Sequence, residues 1–355
     1  MPRILAILSV RNEGSFLLEW LAHHQACGFT DFLVFSNDCQ DGTDTMLDRL
    51  QGLGLLTHIR NPGPHDKQGI QFTAMRLAAQ AELTRQADWI LPLDVDEFVN
   101  IHVGDRTVSA LVKALPDATA ITLTWRLFGN AGVVLYADRP VTQQFTRAAP
   151  RVIHWPWRAV MFKTLYRNDG TYGRPGVHRP ADPDPTRLAQ TRWFDTEGRE
   201  LGEAFQTSRI FSDYRQEHYG LAQLNHYPLG AMESYLVKAD RGRAVHSDDQ
   251  LGMDYWTERN YCTDEDTSIT AMADRMRENL AALKKDEQLA QLHRTAVEWR
   301  RARIQNLLEQ EPYRALMTRM MLTPPARPIP AQAARYLAHH AARAHDGAAS
   351  SRRKP

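Results

Sequence analysis

The chain has 355 residues, a formal net charge of +1 at pH 7, 43% hydrophobic residues and 24% charged residues. That balance allows a substantial core, leaves little scope for extensive disorder, and argues against nucleic acid as a partner because no strong global field exists to attract it. Cys27, Cys39 and Cys262 stand far apart with no Cys-x-x-Cys pair, which argues against a disulfide framework or zinc site and fits a reducing cytoplasm. The apolar run Ile4 to Val10 ends at Arg11, too short for a secretion signal, and no uncharged apolar stretch of about 18 residues predicts a membrane span.

Ile4 to Val10 is nearly continuous in apolar character, the pattern of a central strand buried on both faces. After Arg11-Asn12-Glu13-Gly14, Ser15 is a candidate N-cap, and Phe16, Leu17, Trp20, Leu21 and His24 recur at helical spacing until Gly28. Phe32 to Ser36 predicts a second strand, and a helix beginning near Thr43 turns Met46, Leu47 and Leu50 inward. Leu55 to Ile59 predicts a third strand, and a longer helix over Gln68 to Gln86 delivers the chain to the strand Trp89 to Leu93. This alternation predicts an α/β fold, an open and mostly parallel sheet with helices on both faces. A helix over Val108 to Leu115 and a strand over Thr119 to Thr124 follow, and the Arg-, Pro-, Gly- and aromatic-rich residues 126–225 read as an extension of the same domain. Amphipathic helices are predicted from Ser268 to Arg303. The Ala-rich, basic tail beyond Pro324 is expected to be mobile, with at most a weak contact with acidic membrane lipid.

The triplet Asp94-Val95-Asp96 leaves the fourth strand and is followed by Glu97-Phe98. In extended backbone, side chains two apart share a face, so Asp94 and Asp96 would converge on one hard divalent cation, which bridges readily to phosphate oxygens. Asp182-Pro183-Asp184 and Asp264-Glu265-Asp266 repeat the spacing, and the first of these lies in a Pro-rich stretch where Asp commonly serves a turn. Ligands of open α/β sheets lie outside the carboxyl ends of the strands. There, Arg11, Asn12 and Glu13 follow the first strand, Asn37, Asp38 and Asp41 the second, and Asp94, Asp96 and Glu97 the fourth. Asp38 suits a base or ribose hydrogen bond and Arg11 or Lys67 a phosphate, although each alone also reads as a loop, a helix entry or a surface ion pair. Dinucleotide, P-loop and zincin motifs are absent, and Phe98 stands where an aspartyl phosphatase would need Thr or Val.

Val10-Arg11-Asn12-Glu13, the run Phe35-Ser36-Asn37-Asp38-Cys39-Gln40-Asp41-Gly42-Thr43, Leu93-Asp94-Val95-Asp96-Glu97-Phe98 and Asn225-His226-Tyr227 resemble the motifs of GT-A glycosyltransferases of the family 2 type and the related family 92 branch. The resemblance covers roughly residues 3–270. It implies a Rossmann-like GT-A sheet and a metal-dependent transfer, with inversion, of a sugar from a nucleotide-sugar donor, most often UDP-linked, to a glycan, lipid-linked or other hydroxyl acceptor. A nucleotide-sugar or glycan-binding module without catalysis is the competing reading. By the resemblance, Asp94 and Asp96 look like the metal and sugar-nucleotide motif, Asp38 the uracil or ribose contact, and Arg11 and Glu13 part of the nucleotide pocket, with Asn37 replacing a commonly acidic residue.

A late His completes the metal shell in many such enzymes, which nominates His226, the alternative being a His packed in a loop; an imidazole ligand favours manganese over magnesium. Lys238 and Arg241 resemble a basic helix of the family 92 branch that could neutralise the leaving diphosphate. Asp264, Glu265 and Asp266 are candidates for the base that deprotonates the acceptor, and they could equally favour a helix N-terminus. Trp125, Phe128, Gly129 and Asn130 could offer an acceptor sugar an aromatic surface, or belong to the core. The expected division is a nucleotide-sugar half over 1–125, an acceptor-side half over 126–267, a helical extension over 268–322 and the mobile basic tail over 323–355.

Overall fold

Four parallel strands form the centre of the computed structural model: β1 (Ile4–Val10), β2 (Asp31–Ser36), β3 (Thr57–Arg60) and β4 (Trp89–Leu93). The structure describes residues 2–63, 65, 69–213, 215–242 and 251–351, with side chains as far as residue 341. Strand β1 is buried on both faces as its sequence requires. Ile4, Ala6, Leu8 and Val10 pack with Leu17, Trp20 and Leu21 on one side, and Leu5 and Ile7 with Phe35, Ala74 and Ala78 on the other. The connecting helices are α1 (Gly14–Ala26), α2 (Thr43–Gly52) and α3 (Ile70–Gln80).

Beyond β4 the sheet becomes mixed. The strand Phe162–Arg167 runs antiparallel to both β4 and β6 (Ala120–Leu127), which follows β5 (Glu97–Ile101) in the chain. Strand β6 serves two sheets. Its first half pairs with Phe162–Arg167 and Trp193–Asp195, while Trp125 to Leu127 pair in parallel with Ala222–His226, which in turn pairs antiparallel with β5. The predicted strand over Thr119 to Thr124 is therefore longer than its apolar run, because Trp125, Arg126 and Leu127 continue it into the second sheet.

Two local expectations give way to tertiary contacts. Ser15 lies inside α1, and the Gly14 N–H is satisfied by Asp41 Oδ2 at 2.9 Å, while Asp41 Oδ1 accepts the Thr43 N–H at 2.9 Å. One carboxylate thus serves the starts of two helices. The helix expected over Gln68 to Gln86 breaks at Ala81 (ψ 138) into Ile70–Gln80 and Glu82–Gln86. The break lets the Thr84 and Ala87 carbonyls accept from Asn168 Nδ2 at 2.8 and 3.0 Å, partners no local pattern can announce. The tail expected to be mobile carries a helix, Ala331–Ser351, consistent with the high helix propensity of alanine; Ala334 is buried, but Tyr336 is 66% exposed.

The C-terminal helices close on the sheet domain. Ala273–Leu283 and Glu287–Leu308 pack against α1, and a separate apolar cluster joins Ile304, Leu307, Met317 and Met320 to the helix Met232–Arg241. Fully buried Leu236, Leu307 and Met320 each contribute ~1.5–3 kcal/mol to that seam. Among the described residues no helix is long and apolar enough to cross a membrane.

Gly14 marks the closest approach of the helical extension. A Cβ there would meet Ala296 Cβ at 2.8 Å and Asp41 Oδ2 and Thr43 Oγ1 at 3.3 Å, whereas a Cβ on Gly52 would meet nothing within 4 Å. Gly14→Ala is expected to lower the unfolding free energy by ~1–3 kcal/mol, and Gly52→Ala to leave it unchanged or raise it by a few tenths, as measured by urea denaturation. Equal effects of the two would contradict the close packing.

Candidate active site

At the end of β4 the chain turns. The Glu97 N–H donates to the Asp94 carbonyl at 3.1 Å, so Asp94-Val95-Asp96 links β4 to β5 as a turn and not as the extended segment its spacing suggested. Fully buried Glu97 fastens the turn, with Oε2 accepting the Asp94 N–H at 2.8 Å and Oε1 accepting Trp125 Nε1–H at 2.6 Å. Burial pushes the Glu97 carboxyl up, and the Lys163 ammonium at 3.6 Å opposes that shift. Asp94 and Asp96 still line one cleft of about 420 Å³ outside the carboxyl ends of β1, β2 and β4.

Each of the two acids already holds a lysine. Asp94 Oδ1 accepts from Gln71 Nε2 at 2.7 Å and Oδ2 from Lys163 Nζ at 3.0 Å, the latter donor fully buried on the strand beside β4. Asp96 Oδ2 accepts from Lys238 Nζ at 2.7 Å, and Oδ1 lies 3.7 Å from His226 Nε2. Burial opposes ionisation of Asp96, yet the Lys238 ammonium holds it well below the usual carboxylate range. His226 sits at the end of its strand with its ring 4.2 Å from that of Trp125, and burial lowers its pKa, keeping the imidazole neutral.

These residues fit a divalent cation in part. Asp96 Oδ1 and His226 Nε2 are close enough to reach one ion at ordinary ligand distances of about 2.1 Å, and neutral imidazole is the ligating form. Both oxygens of Asp94 accept from donors, one of them a buried ammonium. Among the described residues no three His, Cys, Asp or Glu side chains gather into a metal site.

Arg11, Glu13, Asn37, Lys238 and Arg241 line the same cleft. Glu13 does not face it as a free acceptor, because its carboxylate lies between the guanidiniums of Arg241 and Arg300. Arg241 also donates to the Arg11 carbonyl at 2.7 Å. Arg300, buried on the helix Glu287–Leu308, donates to Ser15 Oγ at 2.8 Å and the Asn12 carbonyl at 3.2 Å and lies 4.4 Å from the Phe16 ring centre. The loop after β1 is thus held in shape from nearly 290 residues away, as the 288-residue separation of Arg300 and Asn12 records. Nothing in the local sequence distinguished Arg300 or Lys163 from surface cations; only a cation at an otherwise inward helical or strand position hinted at them.

Other expected residues lie elsewhere. Asp38 is exposed at positive φ and does not line the cleft, leaving Asn37 as the residue of that loop that does. Lys67 lies outside the described residues. Of the expected acceptor surface only Trp125 reaches the cleft. Phe128 stacks on Tyr227 at 4.7 Å, Gly129 is pressed against the Tyr261 carbonyl, and Asn130 Nδ2 donates to the Val133 and Gly230 carbonyls, so these three build the core. Asp264, Glu265 and Asp266 line a separate recess. Strand alternation explains this: Arg126 points away from the Trp125 face and draws Asp264 and Asp266 to 3.1 and 3.4 Å. Asp266 Oδ1 also accepts the Ser268 N–H at 3.1 Å, which is the helix-entry role.

Arg300→Met strands the buried Glu13 carboxylate on one partner and should cost ~3–5 kcal/mol in urea unfolding, whereas Arg314→Met, which loses an exposed pair with Glu311, should cost ~0–1 kcal/mol. Similar small losses for both would show that Arg300 does not hold the loop.

Residues 9–171 match the model of glycosyltransferase family 92. A glycosyltransferase family 92 protein of Ricinus communis is 26% identical over 142 residues, covering 39% of this chain and 25% of that protein. One from Oryza sativa subsp. japonica is 22% identical over 142 residues, covering 39% and 23%. The match spans about a quarter of either curated relative. Among solved structures, S. aureus TarS 1–349 has 12% identity and a TM-score of 0.32, covering 78% of this chain and 72% of that one. The Mycobacterium tuberculosis glucosyl-3-phosphoglycerate synthase in complex with Mn2+ and UDP has 15% identity and a TM-score of 0.26, covering 37% and 46%. Likeness at such TM-scores carries no argument, and the fold rests on the strand order itself. Over residues 9–171, which carry the end of β1, all of β2 through β6 and both acids of the Asp94 turn, the chain matches glycosyltransferase family 92, the family its motifs resemble.

Proposed function

We propose that the chain is a glycosyltransferase that binds a UDP-linked sugar in the Asp94–Asp96 cleft and passes the sugar, with inversion, to a hydroxyl of a glycan or lipid-linked acceptor. The observation that carries this reading is the sorting of charge in one cleft: Asp96 and His226 beside Lys238, Arg241 and Arg11. A departing diphosphate develops negative charge, and preorganised cations in a partly dry cleft stabilise it more than water does. Lys238 and Arg241, which line the cleft, would serve that task, and Arg11, whose Nε is buried without a partner among the described residues, would offer a third cation to a phosphate oxygen. A divalent cation held by Asp96 and His226 would add Lewis-acid stabilisation of the same oxygens, with Mn2+ suiting the imidazole better than Mg2+.

Asp94, fixed by Lys163 and Gln71, is oriented to accept from a ribose or sugar hydroxyl, and Asn37 can meet the base where Asp38 does not reach. Trp125 and Trp157 wall the opposite part of the cleft and suit an acceptor sugar. Inversion follows the resemblance of the motifs to glycosyltransferases of the family 2 type. Three free cysteines agree with a cytoplasmic setting.

With a panel of UDP-sugars and Mn2+, the wild-type chain should release UDP, and Asp96→Ala should lower that rate by ~10²-fold or more with unchanged circular dichroism. NMR of the product should show an inverted anomeric centre. Undiminished turnover in Asp96→Ala would overturn the reading, and UDP binding without turnover of any donor would leave a binding module in its place.

A further inference from the structure

Transfer to a hydroxyl releases a proton, and a group in the cleft must take it as the hydroxyl attacks. The acids that the sequence nominates for this task, Asp264, Glu265 and Asp266, line a different recess. A side chain that no motif singled out stands in the cleft wall instead. His178 lines the cleft next to Trp125, their ring centres 5.7 Å apart, and so lies on the side that suits an acceptor sugar.

The turn that carries His178 links the short strands Tyr172–Arg174 and Ala181–Pro183 and is tied twice to the strand Phe162–Arg167. The Thr164 hydroxyl donates to the His178 carbonyl at 2.9 Å, and His178 Nδ1 lies 3.0 Å from the Phe162 carbonyl. Gly176 keeps the turn tight, because a Cβ there would collide with the Arg179 carbonyl. The ring is therefore held in place before any substrate arrives, which is what catalysis asks of a proton acceptor.

The bond to Phe162 also fixes the tautomer. A carbonyl oxygen can only accept, so Nδ1 carries the hydrogen and Nε2 of the neutral ring carries a lone pair. Nε2 has no partner among the described residues, and it is not sealed, in contrast to His226 Nδ1, which is buried without a partner. Burial lowers the His178 pKa to about 4, with the Lys163 ammonium and His226 acting in the same direction and the Phe162 carbonyl and Asp94 against it. At neutral pH the ring is then in its accepting form, with a basicity close to that of a carboxylate. The charge of Asp94 favours the imidazolium once it forms.

We propose that His178 is the general base of the cleft, with Nε2 taking the proton of the acceptor hydroxyl. As the proton moves, the hydroxyl oxygen forms its bond to the anomeric carbon, the bond from that carbon to the diphosphate oxygen breaks, and the electron pair leaves with UDP. The imidazolium then gives its proton to solvent. Lys238 and Arg241, which serve the leaving group, come from the helix Met232–Arg241, so base and leaving-group cations belong to separate elements, as displacement from opposite sides of the sugar requires. The proposal rests on the glycosyltransferase reading of the cleft.

The test is His178→Asn in the full chain, because the asparagine amide can keep the bond to the Phe162 carbonyl while the lone pair of Nε2 is lost. Water, which also needs a base, stands in for the acceptor, and UDP release is followed with the UDP-sugar panel and Mn2+. His178→Asn should slow release by about 10²-fold or more while UDP affinity by calorimetry stays within about twofold of wild type. Sodium azide, a nucleophile with no proton to lose, should restore release in His178→Asn and yield a glycosyl azide of inverted configuration. If His178→Asn does not fold, His178→Gln carries the same comparison. Undiminished release in an active enzyme would overturn the base alone, as would a loss that azide does not restore or that comes with lost UDP affinity, since either marks a structural role. A wild-type chain that releases UDP from no donor would instead overturn the reading of the cleft, and the base with it.

Discussion

Two carboxylates at the end of β4 are each neutralised by an ammonium, Asp94 by Lys163 and Asp96 by Lys238, and the shape of the cleft depends on that pairing. The turn that carries them could not hold Asp94 and Asp96 beside fully buried Glu97 without a counter-charge, since an unpaired buried ion costs several kcal/mol. Lys163 supplies it from the neighbouring antiparallel strand and bridges Asp94 and Glu97. Lys238 comes from the helix Met232–Arg241 and brings Arg241 with it, so the same helix that balances Asp96 also lines the region where phosphate charge would sit.

This balance has a consequence for cation binding. Asp96 offers His226 a shared ion only by relaxing its grip on Lys238, and an ammonium released from Asp96 needs another anion nearby. A diphosphate provides one. Cation and nucleotide are therefore expected to enter together, each removing the electrostatic obstacle to the other. The helical extension takes part as well. Arg300 shares Glu13 with Arg241 and fixes the loop that presents Arg11, so the C-terminal helices belong to the site and are not an appendage.

The sequence was most legible where chemistry is local. β1, β2 and β4 are short apolar runs bounded by polar clusters, and their exits carry the residues that line the cleft: Arg11, Glu13, Asn37, Asp94 and Asp96. It was least legible where a residue matters through a distant partner. Lys163 reads as an ordinary strand residue until β4 lies beside it, and Arg300 as one of many helix cations until Gly14 lets its helix approach. Strand alternation also misled over a short range: Trp125 and Arg126 are neighbours in sequence, but the pleat sends one to the cleft and the other, with Asp264 and Asp266, to the opposite face. Asp38, after the second strand, is exposed to solvent, a placement its sequence position does not announce.

The most direct test of the lysine-balanced cleft is electron paramagnetic resonance titration of Mn2+ with and without UDP, in the wild type and in Lys238→Met. The account predicts weak Mn2+ binding to the wild type alone, a tightening of at least tenfold with UDP, and tighter UDP-independent binding once Lys238 is removed. Mn2+ affinity that is the same with and without UDP and unmoved by Lys238→Met would contradict it.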